Sequence, residues 1–431
     1  MLALKQSEAR GDNTQTKLEF SIDSGMNREN VFMGDQAMYQ LKSGLVLLLL
    51  GSSIGVAASE FSDAINEGEG NINFRYRYET VSQDGLKDAD ASTLRTRVNF
   101  KSGTFDDFQF MIEIDNVYAP FVDDYNSTSN GKTDYAVVAD PEGTDLNQLW
   151  LSYQGVEDTT LSLGRQRIIF DNARFIGNVG WRQNEQTYDS FKVENRSIEN
   201  SVLTYSYVYE VNRIFDPDNS ATGVEHDSHL LNYQYQGWSF ANLAVYSYLV
   251  DNQEIAAGSS STYGVRLVSK AKKGFGYEVE FAKQSDYDDN PNSVSADYSH
   301  LKASYAIDYG RWYIGLETLS GDGPAGSSFQ TPLATLHKFN GFADKFLNTP
   351  GSGLEDLYFG FSTLWEGYNF NVTWHDYSPD ASGSDYGTEL NFVVSKKLSD
   401  SHSILLKYAD YDADNWATDT TKVMLMLTAN Y

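Results

Sequence analysis

The sequence predicts an all-β protein, a transmembrane antiparallel β-barrel of about 18 strands. Three observations carry this: how the chain ends, how its apolar residues are spaced, and how its connections alternate in length. The last twelve residues, Thr420 to Tyr431, put Val423, Leu425, Leu427 and Ala429 on one face, with Lys422, Thr428 and Asn430 on the other. Successive side chains of a strand point to opposite faces, so a strand between lipid and a lumen is apolar at every second position.

The same alternation recurs along the chain in segments near the ~9 to 11 residues of a tilted membrane strand. From Asn73 to Glu79, Phe74, Tyr76 and Tyr78 oppose Arg75 and Arg77. From Leu94 to Phe100, Leu94, Val98 and Phe100 oppose Arg95 and Arg97. Further examples are Phe108 to Asp115, Leu203 to Tyr209, Phe275 to Phe281, Leu301 to Ile307 and Tyr368 to His375.

Short links such as Ser102 to Asp106, Lys272 to Gly274 and Glu366 to Gly367 alternate with long polar stretches at 81–91, 117–144, 168–185, 211–225, 251–260, 285–296, 321–353, 378–386 and 411–419. Short periplasmic turns facing long extracellular loops are the asymmetry of an outer-membrane barrel, and the strand number must then be even. A β-sandwich has no reason to alternate its connections in this way. At about 18 strands the interior is wide enough to conduct solutes.

Composition agrees. The 431 residues include 29 Tyr and 24 Phe but only 8 Pro and no Cys, which suits strands with aromatic girdles. After residue 60 no apolar run approaches the ~20 residues of a helical span, which excludes a helical membrane protein. Near the start, Lys42 precedes the apolar stretch Leu45 to Leu50, and Val56-Ala-Ala58 supplies small residues at a cut. Residues 38–58 therefore read as a secretory signal peptide cleaved after Ala58, residues 1–37 as a mis-assigned extension, and residues 59–431 as a single barrel domain. Removing residues 1–59 takes away five basic and six acidic residues, which leaves the remainder near −27. That charge argues against nucleic acid as a partner. Outer-membrane lipid and lipopolysaccharide are the expected surroundings.

Function must then come from what faces the lumen. With apolar positions facing lipid, the lumen receives Arg75, Arg77, Arg95 and Arg97 from two adjacent strands and Glu113 and Asp115 from the third. Eight of the 14 Arg lie between residues 75 and 182, these four plus Arg165, Arg167, Arg174 and Arg182. Fixed guanidinium groups favour anions, and their fork suits carboxylates. An internal ion-pair network explains the same residues, since Glu278, Glu280, Glu317 and Glu389 also point inward by parity. Parity falters once. Leu161 and Leu163 face lipid, which would send Arg165 and Arg167 the same way at ~2 to 4 kcal/mol each near the midplane. A bulge at Gly164 that flips the register resolves this, and a position near the rim is the alternative.

Several segments resemble the alginate export family of outer-membrane porins: Leu163-Gly-Arg-Gln166, Phe175-Ile-Gly177, Trp181-Arg-Gln-Asn184, His337-Lys-Phe-Asn-Gly-Phe-Ala-Asp-Lys-Phe346, Thr349-Pro350, Gly353-Leu-Glu-Asp356 and the closing Leu427-Thr-Ala-Asn-Tyr431. The resemblance runs from about residue 70 to the end. It implies an 18-stranded monomeric barrel whose Arg-lined constriction selects anionic uronate polymers. Carried over by position, Arg165, Arg167 and Arg182 belong at or near that constriction, and Asn340, Gly341, Asp344 and Lys345 lie in a pore-loop motif. Neither a cofactor nor a metal is expected.

The stretch 321–353 is too long for a simple link. Its Leu336, Phe339, Phe342 and Phe346 suggest a segment that folds over or into the pore mouth. Acidic loops such as Asp286-Tyr-Asp-Asp289 could hold divalent cations beside lipopolysaccharide, although such runs are usually solvated. Three other readings stay open, one of them a structural or adhesive barrel with a blocked lumen. A general diffusion porin would lack uronate selectivity. A barrel hydrolase would need a nucleophile beside one of the six His, and neither His226-Asp-Ser-His229 nor Trp374-His-Asp376 forms a nucleophile motif.

Overall fold

Antiparallel pairing runs through the whole sheet and returns to its start: the first strand, Glu69–Gln83, pairs with the last, Thr420–Asn430, from Asn73 opposite Asn430 to Gln83 opposite Thr420. The computed structural model describes residues 57–215, 223–324, 326–381 and 383–431. The expected extension 1–37 and nearly all of the expected signal segment 38–58 lie outside them. Among the described residues, eighteen strands of 8 to 15 residues close the barrel, and the two-residue strand Asp123–Asp124 pairs with the second strand, Ala89–Lys101. Closure leaves no sheet edge, so every strand finds its backbone partners within the sheet, the one way strands cross hydrocarbon. No described helix is long and apolar enough to cross a membrane.

The alternation of the sequence becomes the alternation of the wall. In the first strand Arg75, Arg77, Glu79 and Val81 are buried, while Phe74 is exposed on the outward face. Outward apolar positions such as Ile314, Leu357 and Phe359 stay accessible, as a lipid-facing surface requires. Trp238, Tyr309, Trp365 and Tyr431 stand exposed beside the short turns, where an interfacial girdle belongs. One of these turns, Glu366-Gly367, has φ of 48° and 79°, the positive pair that a tight hairpin matching strand twist demands.

Two differences from the sequence expectation concern this wall. The first outer connection shrinks to 84–88, because the strands extend to Gln83 and resume at Ala89. A helix, Ala57–Asn66, also precedes the first strand. It packs on the neighbouring short turn, with Phe61 against Phe105 and Phe110 (ring centres 5.4 and 6.3 Å apart) and the Gly103 amide donating to the Ala64 carbonyl at 2.7 Å.

The interior is filled from the long-loop side. Phe175 of the connection 167–186 packs against Tyr246 and Tyr298 of the wall (5.2 Å each) and against Phe329 of the connection 320–353 (5.8 Å). Farther round, Phe346 meets Tyr377 at 4.5 Å and Tyr386 at 5.9 Å. These rings belong to one buried apolar cluster, so the two loops are held in the lumen by the same burial that would build a core in water. The short-turn half keeps a cavity of about 530 Å³ whose lining includes Ser362, Asn369, Asn371 and Ser395.

Replacing outward Ile314 by Arg should lower barrel stability by ~2 to 4 kcal/mol, since it places an unpaired charge in hydrocarbon. Urea unfolding in lipid vesicles reads the shift, and an unchanged midpoint would contradict the outward assignment.

Candidate functional site

The candidate site lies where the first three strands meet the connection 167–186. Arg75 and Arg77 on the first strand and Arg95 and Arg97 on the second alternate with outward residues, so all four reach the lumen side by side, with Arg75 directly opposite Arg95. Like charges on facing positions would repel if nothing lay between them. The loop supplies what lies between them.

Arg97 grips Asp115 with two nitrogens, Nε to Oδ1 at 2.6 Å and Nη2 to Oδ2 at 2.5 Å, and turns Nη1 to Glu185 Oε1 at 2.5 Å. Arg167 joins Glu185 to Glu113. Arg77 binds Asp140 at 2.7 Å, donates to the Trp181 carbonyl, and lies 4.3 Å from the centre of the Trp181 ring. Arg182 reaches Glu79 and Asp344, each at 3.2 Å. Arg75 instead donates to Gln183 Oε1 at 3.0 Å and to the carbonyls of Gly180 and Arg182. Arg95 donates to Asn73 at 2.7 Å and approaches Glu185 only to 3.9 Å. The guanidinium forks are thus largely engaged within the protein, as bidentate pairing favours in a desolvated setting.

A bulge shapes this site, but not at Gly164. Pairing runs in register through Gly164, with Leu163, Gly164 and Arg165 opposite Phe191, Ser190 and Asp189. The glycine is still required there: its φ is +118°, and a Cβ would strike the Leu149 carbonyl. Arg165 therefore keeps the outward parity of Leu163, near the long-loop rim, and forms a two-pronged pair with Asp189 at 2.8 and 3.1 Å. It does not line the pore. Arg167 does turn inward, because the strand Thr159–Gln166 has ended and the loop sets its direction.

The register shifts instead on neighbouring strands, one of them at Asn147. That extra residue sends both Asn147 and Gln148 toward Glu113 Oε1, at 2.7 and 3.2 Å. Asn99 meets the other oxygen at 3.1 Å, so both Glu113 oxygens are held in place beside Arg167.

The remaining expected residues form a latch. Arg174 binds Glu317 at 2.7 Å and donates to Thr331 and Asn340, both at 3.1 Å. Asn340 donates to Glu317 at 2.7 Å and Asp356 at 3.2 Å. Gly341 has φ +85° and lets the loop backbone pass against Glu389 and Tyr377, where a Cβ would collide. The Ala343 amide then donates to Glu389 at 2.9 Å. Asp344 gathers Arg182, Lys422 (2.7 Å) and His337 (2.7 Å), while Lys345 donates to Gln83 at 3.2 Å. These pore-loop residues fasten 320–353 to the wall.

Sequence reasoning missed Glu79, Asp140, Gln183, Glu185, Trp181 and Lys407 as members of the site. Glu79 was legible by parity with Arg75 and Arg77, and Gln183 sits inside the Trp181-Arg-Gln-Asn184 segment. Nothing in the sequence marks Asp140. Lys407 lies in the lumen over Trp181 (3.7 Å) and Phe342 (4.0 Å), 3.1 Å from His337.

With this geometry in place, comparison with known proteins is informative. The family model described as alginate export matches residues 69–342. The chain belongs to the alginate export family. It is accordingly an outer-membrane porin for passive passage of solutes, and not an enzyme. Solved structures support the fold. OccAB4 of Acinetobacter baumannii superposes with a TM-score of 0.67 at 14% identity, covering 85% of this chain and 98% of that one. OpdK of Pseudomonas aeruginosa, solved with vanillate, gives 0.65 at 14%, covering 85% and 99%. OccD3 (OpdP) of the same organism gives 0.64 at 15%, covering 86% and 92%. A comparison with curated protein sequences found no significant match.

Two tests follow from the geometry. Removing residues 325–350 should raise single-channel conductance severalfold, because the segment's buried rings fill lumen that water would then occupy; an unchanged conductance would sink the loop's obstructing role. The second concerns acid. Burial pushes the Glu185 carboxyl up, but Arg97 and Arg167 outweigh it and hold the group down at about 2. A depressed carboxylate stabilises fully above its ordinary value of 4.5, and that contribution fades as pH falls through the folded value. Melting temperature should therefore show a Glu185-dependent fall only below about pH 4.5, which Glu185→Gln removes. The same acid-side fall in both proteins would contradict this.

Proposed function

We propose that this porin favours solutes bearing carboxylates, anionic oligosaccharides of the uronate type, at the constriction of Arg75, Arg77, Arg95, Arg97, Arg167 and Arg182. The observation that supports it is an imbalance within an otherwise paired network. Among the described residues Arg75 contacts no carboxylate and Arg95 has only a distant one, while the half-buried Lys407 side chain rests on aromatic rings. Fixed cations without contacting anions leave a positive potential in a narrow, low-dielectric passage.

A general diffusion porin without uronate selectivity is the second reading. It is favoured by the saturation of Arg97, Arg167 and Arg182 by Glu185, Glu113, Asp115, Glu79 and Asp344. Lipid meets the outward face, and lipopolysaccharide beside the long loops completes the surroundings in this proposal. Residues 38–58 are its export signal.

The deciding measurement is single-channel conductance of residues 59–431 in a planar bilayer, with reversal potential in a salt gradient. Anion preference, with block by an oligouronate and none by a neutral oligosaccharide, is the expected result. Lys407→Ala should weaken the block about tenfold, equivalent to ~1.4 kcal/mol. A small aromatic carboxylate such as vanillate is a useful second probe. Cation preference, or indifference to both sugars, would leave the general porin.

A further inference from the structure

Away from the constriction, on the opposite stretch of wall, three metal-ligating side chains converge. Glu278 and Glu280 lie two residues apart on the strand Gly274–Asp286 and share its lumen face, and His300 of Ser295–Ile307 stands opposite Glu280 in the register. One ligating atom from each comes within 4.8 Å of the other two.

Two of those side chains carry buried atoms without a hydrogen bond. His300 is 9% exposed; its Nε2 meets the Tyr358 hydroxyl at 2.7 Å, but its Nδ1 is buried without a hydrogen-bond partner and faces Glu278 Oε1 at 3.9 Å. Glu280 is 1% exposed; Oε1 accepts from the Tyr246 hydroxyl at 2.9 Å, while Oε2 is buried without a hydrogen bond. A buried polar atom left without a hydrogen bond costs its desolvation, so His300 Nδ1, directed at Glu278, marks a place for a ligand.

The charged neighbours permit a cation. Arg266 holds Glu278 Oε1 at 2.6 Å and stands 3.4 Å from Glu280 Oε2, so two carboxylates face one guanidinium. Lys302 is drawn off onto the Tyr313 ring at 4.7 Å, Glu317 is engaged by Arg174 and Tyr298, and Asp171 by Asn232 and Gln234.

We propose that Glu278, Glu280 and His300 form a binding site for a divalent transition-metal ion, zinc foremost, on the lumen wall. One imidazole nitrogen with two carboxylate oxygens is a mixed donor set that suits zinc, whereas calcium and magnesium take oxygen alone. The Tyr358 hydroxyl on Nε2 fixes the ring with Nδ1 turned to the ion, the outer contact that metal-binding histidines ordinarily have. Glu278, the most accessible of the three, leaves the fourth position to lumen water. The site is independent of the uronate reading, since it shares no residue with the constriction.

Isothermal titration of the refolded barrel in detergent with Zn²⁺, and with Co²⁺ as a visible-absorbing probe, tests this. One equivalent should bind, weakened at least tenfold in His300→Gln and in Glu280→Gln, with loss of the Co²⁺ ligand-field bands in His300→Gln. No uptake by the wild type at about 1 mM Zn²⁺, or equal uptake by wild type and His300→Gln, would overturn it. Folding of each variant is read by heat-modifiable gel migration, and if Glu280→Gln does not refold, the Co²⁺ spectrum of His300→Gln against wild type decides.

Discussion

Everything in this molecule depends on the pairing of its first strand with its last. Hydrocarbon offers no partner for a backbone amide or carbonyl, so an open sheet could not stand in it. Asn73 opposite Asn430 through Gln83 opposite Thr420 closes the ring. That register fixes which side chains face inward on every strand, because a slip of one residue would exchange the two faces. Arg75 and Arg77 reach the lumen only because Tyr76 and Tyr78 face out, and the inward Arg cluster is a consequence of closure.

Closure creates a second problem, an interior too wide for side chains alone to fill at this strand number. The chain meets it with its own connections. Phe175, Phe329 and Phe346 carry loop backbone into the lumen and pack on wall tyrosines, while Arg174, Asn340 and Asp344 tie the same loops to inward carboxylates and lysines. Apolar burial supplies the attraction and the ion pairs supply position. A buried pair contributes little net stability against a well-packed apolar alternative, but removing one partner leaves a stranded charge, so the network specifies a single arrangement.

Charge balance gives the passage its character. The Arg cluster looks strongly basic on one face of two strands, yet Glu113, Asp115, Asp140 and Glu185 bring anions to within hydrogen-bonding distance of most of it. After this pairing Arg75 is left without a contacting carboxylate and Arg95 with only a distant one. The bulge at Asn147 is part of the same economy of placement, since it aims two neighbouring amides at one carboxylate.

The sequence by itself determined the class, the approximate strand number, the alternation of short and long connections, and the inward face of each regular strand. Those features are written in a period of two and in local turn chemistry, which neighbours in the chain are enough to set. It also showed that 321–353 holds apolar rings that would pack. Tertiary structure alone decided the partners: Arg75 meets Gln183 at a separation of 108 residues, and Arg174 meets Asn340 at 166. It decided too that Gly164 keeps register while Asn147 breaks it, leaving Arg165 outward at the rim and Arg167 inward. A bulge is a misfit between two strands, and a pattern read along one strand cannot show which of the two absorbs the extra residue.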